Sequence, residues 1–115
     1  MSTTAVHSST ETTLTNLQAA FNGESNAAAR YAEFARKADS EGFHKAASLF
    51  RAAAWAEQIH AKNHAAVIKK MGAHPKAEIE ATLAKTTAEN LKAAIAGEEY
   101  ERDVMYPAFI KEAEQ

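Results

Sequence analysis

The stretch Ala53-Ala54-Trp55-Ala56-Glu57-Gln58-Ile59-His60 decides how this chain folds. Glu57 and His60 are three residues apart, so on a helix they share a face, one above the other. Both stand in the apolar seam of a longer run: Ala46, Phe50, Ala53, Glu57, His60, His64, Val67, Met71. The seam advances in alternating steps of four and three, the spacing of a helix packed against neighbours. A carboxylate and two imidazoles at its centre need a reason, because buried charge is costly unless it is paired or bound to a metal.

Working outward, this helix is expected from His44 to Met71. Gly72 stops it and Pro75 lies beyond. Before it, Ser8-x-x-Glu11 has the form of a capping box and opens a first helix that runs to about Glu41, with Gly42 as its stop. The seam of that helix is Leu14, Leu17, Phe21, Glu24, Ala28, Tyr31, Ala35, Ala38, with Glu24 interrupting an apolar line. Gly23 costs about 1 kcal/mol relative to Ala in a helix interior and is expected to let a neighbouring helix approach closely. The short Gly42 loop makes the two helices antiparallel neighbours. A connecting segment follows from His74 to about Lys85, where Ile79 and Leu83 have the spacing of a short helix. Thr86-x-x-Glu89 is a second capping box and opens a third helix. Its seam is Leu91, Ala94, Glu98, Glu101, Met105, then Ala108 or Phe109, then Glu112. Pro107 predicts a kink or local break in it. Residues 1–10 are Ser/Thr-rich without periodicity and read as a flexible tail, leaving residues 11–115 as the helical domain. No strand pattern is found.

The bulk numbers agree. A chain of 115 residues suits one small domain, and 46% hydrophobic with 24% charged residues is ordinary for a globular protein. A net charge of −2 recommends neither nucleic acid nor an anionic membrane as partner. The absence of cysteine removes disulfides, zinc ribbons, iron–sulfur sites and thiol nucleophiles. With no secretory signal and no run fit to span a bilayer, a cytoplasmic location is the expectation.

The polar intruders on the three seams are Glu24, Glu57, His60, Glu98 and Glu101, with His64 as a sixth candidate. In a bundle of comparable helices they meet at one level. Four carboxylates in one apolar core repel each other, and their pKa values rise. Divalent cations remove that difficulty. Carboxylate and imidazole donors suit iron or manganese, and zinc less specifically. His64, one turn beyond His60, reads first as packing or a hydrogen-bonding residue. Trp55 lies off the seam and reads as packing or an oligomer contact. Any one seam Glu taken alone reads as an edge carboxylate reaching water; it is the set on three helices that points to a metal.

Four segments in order carry a resemblance: Gly23-Glu24-Ser25-Asn26-Ala27, Ala56-Glu57-Gln58-Ile59-His60-Ala61, Ala96-Gly97-Glu98-Glu99-Tyr100-Glu101 and Met105-Tyr106-Pro107. Together they resemble the di-iron domain of rubrerythrins, members of the ferritin-like superfamily, over roughly Thr12 to Gln115. The resemblance implies an all-α, ferritin-like four-helix bundle. Three long helices belong to this chain, and the fourth is missing or supplied by a partner chain. It implies two iron ions, with manganese or zinc as substitutes, and reduction of hydrogen peroxide to water as ferrous iron is oxidised. By the same resemblance Glu24 is a terminal ligand, Glu57 and Glu98 bridge the metals, and His60 binds one iron. Glu101 is the extra carboxylate that separates rubrerythrins from plain ferritins. Tyr31 and Tyr106 match tyrosines that hydrogen-bond ligand carboxylates and so fix their orientation.

Three departures stand out. Rubrerythrins often carry a four-cysteine rubredoxin-like domain that delivers electrons, so with no cysteine an external donor such as a rubredoxin-like protein is expected. Gln58 replaces a usual acidic residue, at a position off the seam. The family's fourth helix brings another Glu and His, which this sequence does not contain. A homodimer is expected, domain-swapped or not; exchanging helices does not create the missing ligands, whereas a symmetric pair with two Glu24 and two Glu57-x-x-His60 sets supplies them but leaves Glu101 unused. Two other functions remain open: a ferroxidase or iron-handling protein, which does not need Glu101, and a metal-free helical interaction module, which predicts no bound metal.

Overall fold

The computed structural model describes the backbone of residues 2–114 and the side chains of residues 10–114. Four helical segments follow in order: α1 (Ser2–Ser40), α2 (His44–Lys70), α3 (Thr87–Tyr100) and α4 (Tyr106–Ala113). One π-helical turn, Glu101–Met105, joins α3 to α4 into a single rod. The chain is all-helical, with no strand among the described residues.

Local chemistry sets the ends. Gly42 and Gly72 take the left-handed conformation, with φ of +84° and +82°, that only glycine adopts without strain, and they stop α1 and α2 as expected. Thr86 caps α3: its hydroxyl accepts from the Glu89 N–H at 3.2 Å and donates to the Glu89 carboxylate at 2.9 Å. α1 differs from expectation at its start. It begins at Ser2, upstream of the Ser8 capping box and across the stretch expected as a tail over residues 1–10. Adding residues to a formed helix costs far less than nucleating one.

α1 is the axis of the molecule. α2 packs antiparallel along one flank, and the α3–α4 rod packs antiparallel along another. Thr87 meets Glu41 near one end, Tyr31 meets Glu98 in the middle, and Asn16 meets Glu112 at the other end. The α1–α2 core is small and tight: Ala27, Tyr31, Phe34, Ala35, Ala38, Ala47, Phe50 and Ala54. Phe34 and Phe50 meet edge-on at 5.3 Å between ring centroids. α2 and α3 do not close against each other. A cleft of about 540 Å³ lies between them, lined by Leu49, Phe50, Ala53, Leu91, Ala94 and Ile95, with Glu98 at its edge.

That cleft explains a shift in the seam of α2. The buried face is Ala47, Phe50, Ala54, Glu57, Ala61 and Ile68. Of the expected line, Ala53 lines the cleft, His60 is exposed and Val67 is 44% exposed. One neighbour buries one stripe, and the adjoining stripe stays open.

Two further expectations are corrected. The segment between Ala73 and Thr86 forms no short helix and runs extended along α1. It is held by an amide ladder at four-residue spacing on α1. Gln18 donates to the His74 carbonyl at 2.8 Å and accepts from the Lys76 N–H at 3.0 Å. Asn22 accepts from the Glu78 N–H at 2.9 Å. Asn26 donates to the Glu78 carbonyl and accepts from the Glu80 N–H, both at 2.8 Å. These bonds satisfy alternate backbone groups as a neighbouring strand would. Gly23 admits no helix, because a Cβ built there meets nothing within 4 Å. It faces a pocket of about 290 Å³ shared with Gly97, Arg30 and Glu101.

Candidate metal centre

The expected site residues converge midway along the molecule. Glu24 on α1 and Glu57 on α2 are buried, at 5% and 6% exposure. Donor atoms of Glu24, Glu57 and His60 lie within 4.8 Å of one another. His60 Nδ1 is 3.6 Å from Glu24 Oε1 and 3.9 Å from Glu57 Oε1. The His60 ring is half exposed. Glu98 and Glu101 approach from the α3 side, Glu98 exposed and Glu101 partly buried.

The site is electrostatically strained. Burial first, then the charges of Glu98, Glu24 and Glu101, pushes the Glu57 carboxyl up to about 7. Burial, then the charges of Glu98 and Glu24 and a hydrogen bond with Glu98, raises Glu101 to about 7 as well. Glu24 Oε2 and Glu57 Oε2 are buried without a hydrogen-bond partner. Buried carboxylate oxygens of this kind are rare in native folds unless something else binds them.

Two tyrosines aim the carboxylates. Tyr31, 4% exposed, donates to Glu98 Oε1 at 2.8 Å. Tyr106 donates to Glu24 Oε1 at 2.8 Å. Burial, followed by those hydrogen bonds, holds both phenols above their ordinary range, so they stay donors. Pro107 explains how Tyr106 and Glu101 come to share this place. It sits in the first turn of α4, and no break occurs. The π turn just before it absorbs the lost donor, with the Tyr106 N–H bonding the Glu101 carbonyl across five residues. Glu101 opens this π turn, and its carboxyl feels the charges of Glu98 and Glu24.

The donor chemistry suits a hard or borderline divalent cation. Anionic oxygens and an imidazole converge with unsatisfied lone pairs, and a cation would relieve both repulsion and desolvation. His64, the sixth candidate of the sequence, joins this cluster: its Nε2 lies 2.9 Å from Glu24 Oε2. Its place on the same seam as Glu57 was the available signal. Trp55 is 68% exposed and takes no part in the cluster.

Residues 15–115 match the family model described as Rubrerythrin. The chain belongs to the rubrerythrin family. It is 41% identical over 104 residues to nigerythrin of Nitratidesulfovibrio vulgaris, covering 90% of this chain and 52% of that protein. It is 40% identical over 100 residues to a rubrerythrin of Porphyromonas gingivalis, covering 87% of this chain and 50% of that one. Among solved structures, fully reduced, all-ferrous nigerythrin superposes with a TM-score of 0.82 at 39% identity, over 89% of this chain and 51% of that one. The chain thus spans about half the length of the curated relatives it matches. The likeness carries with it an all-helical, ferritin-like fold. No helix among the described residues is long and apolar enough to cross a membrane.

Proposed function

We propose that this rubrerythrin-family chain forms a di-iron centre from Glu24, Glu57, His60, Glu98 and Glu101 and reduces hydrogen peroxide. The observation that carries the reading is the buried pair Glu24 and Glu57, each with an orphaned Oε2, facing His60 and two further carboxylates. Two bound ferrous ions would supply the two electrons that, with two protons, convert hydrogen peroxide to two waters. Glu57, whose charge is opposed by Glu24, Glu98 and Glu101, would be one of the carboxylates that hold the metal. Glu24 and His60 would hold one side, and Glu98 the other. Tyr106 and Tyr31 fix the carboxylates of Glu24 and Glu98 through Oε1 and leave the second oxygens free. Glu101 on its π turn is the added anionic donor, favoured by a ferric ion over a ferrous one. Reducing equivalents would come from an external donor such as a rubredoxin-like protein. A fourth helix seated in the α2–α3 cleft, from a partner chain or from further sequence, would cover Glu98 and exclude water there.

The test compares wild type with Glu101→Ala, both loaded with ferrous iron without oxygen, for iron content and peroxide consumption. About two irons per site and a much slower variant support the proposal. Equal rates would leave a ferroxidase, which does not need Glu101. A wild type that retains no iron, with stability indifferent to chelation, would leave the metal-free interaction module.

A further inference from the structure

His64 makes the closest imidazole approach to the cluster, with Nε2 at 2.9 Å from Glu24 Oε2 and its side chain 26% exposed. The separation is that of a hydrogen bond, but the geometry is not: Glu24 Oε2 remains a buried oxygen with no hydrogen-bond partner. An acceptor this close and off the ring N–H direction gains little from a shared proton. Two donor atoms bound cis to one cation have this spacing. With bonds of about 2.1 Å at a right angle, they lie about 3 Å apart. The other oxygen of the same carboxylate has a similar neighbour, with His60 Nδ1 at 3.6 Å from Oε1. Glu24 therefore presents its two oxygens between two imidazoles, one helical turn apart on α2, and Tyr106 anchors it from the α4 side.

We infer that His64 is a metal ligand through Nε2, acting with Glu24 Oε2 on the cation that Glu24, Glu57 and His60 gather. This rests on the metal-centre reading of the preceding section. The donor set on the α1–α2 side becomes two imidazoles and two carboxylates. Imidazole suits ferrous iron, cobalt and zinc, whereas manganese and magnesium favour oxygen donors. Relative to a site with one histidine, the chain should prefer cobalt(II) or zinc(II) to manganese(II).

Cobalt(II) alone serves as the probe, because protons on metal-bound imidazoles give hyperfine-shifted, exchangeable NMR signals. Cobalt-loaded wild type is expected to show two such signals. His60→Ala should remove one and His64→Gln the other. His64→Gln should also weaken cobalt binding about 10- to 100-fold, the usual loss for a ligand or its close support, and weaken manganese binding less. A wild type with one imidazole signal, absent in His60→Ala and kept in His64→Gln, overturns the assignment of His64 while the metal centre stands. A wild type that binds no cobalt overturns the metal-centre reading itself. The wild-type count decides even if a variant fails to fold.

Discussion

Glu57 keeps one buried oxygen without a hydrogen bond while Glu98, Glu24 and Glu101 all oppose its charge. Replacing it with the isosteric Gln removes the charge without opening a cavity. Glu57→Gln should abolish tight metal binding and raise the stability of the metal-free protein. A gain of about 1 kcal/mol would lift the melting temperature by about 4–8 °C in a domain of this size. Thermal unfolding in chelator checks it, and a less stable metal-free variant counts against a shared carboxylate cluster. The tyrosines give a paired expectation. Tyr106→Phe leaves the buried Glu24 Oε1 without its donor and should cost about 1–3 kcal/mol. Tyr31→Phe leaves only the exposed Glu98 carboxylate, which water can satisfy, and should cost less. Urea unfolding of the two variants orders them. At this scale the carboxylates and His60 stood out because each breaks an apolar seam, whereas Tyr31 and Tyr106 came only through the family resemblance. His64 stood on the same seam as a sixth candidate, but its partner Glu24 Oε2 was not legible, because a seam records which face a residue occupies and not which atom it meets.

The helices themselves were legible where the cause of an element is local. Gly42, Gly72 and Thr86 mark ends through their own backbone chemistry, and the three–four spacing marks the faces. The extended segment from Ala73 to Thr86 was not legible, because its partners Gln18, Asn22 and Asn26 lie more than fifty residues away in sequence. The seam of α2 was misplaced by part of a turn, since periodicity does not say how many neighbours a helix has. Two expectations belong here. Asn26→Ala removes both bonds to Glu78 and Glu80 and should cost about 1–2 kcal/mol at about 1 kcal/mol per bond. Limited proteolysis should then cut faster between Lys76 and Lys85, and an unchanged cleavage rate would show that the ladder does not hold the segment. Gly23→Ala points its methyl into the open pocket. It should stabilise the protein by about 0.5–1 kcal/mol, the usual difference between the two residues in a helix. Chemical denaturation reads that gain.

For the whole molecule the centre sets how stability depends on pH. Glu57 and Glu101 ionise near 4.5 in the unfolded chain and near 7 in the fold. Between those values the folded state holds more protons than the unfolded state, so stability falls as pH rises. The stabilisation is complete below about pH 4.5 and is lost through pH 7. Asp39, Glu41 and Asp103 shift the other way, but they are exposed and act only below their ordinary range. Metal-free protein should therefore unfold at a higher urea concentration at pH 5 than at pH 8. The coupled pair contributes about 3 kcal/mol over that range, from roughly 1.4 kcal/mol per pH unit over the two units between pH 5 and 7, counting one proton shared by two groups that titrate together. Glu57→Gln should flatten the profile. Ferrous iron should invert it, because the ion takes the places of those protons and its stabilising effect grows as the carboxylates ionise. Urea midpoints at pH 5 and pH 8, with chelator and with ferrous iron, test both signs at once. A metal-free midpoint that rises with pH would mean that Glu57 and Glu101 ionise freely in the fold, and the strain that makes this cluster a cation site would be absent.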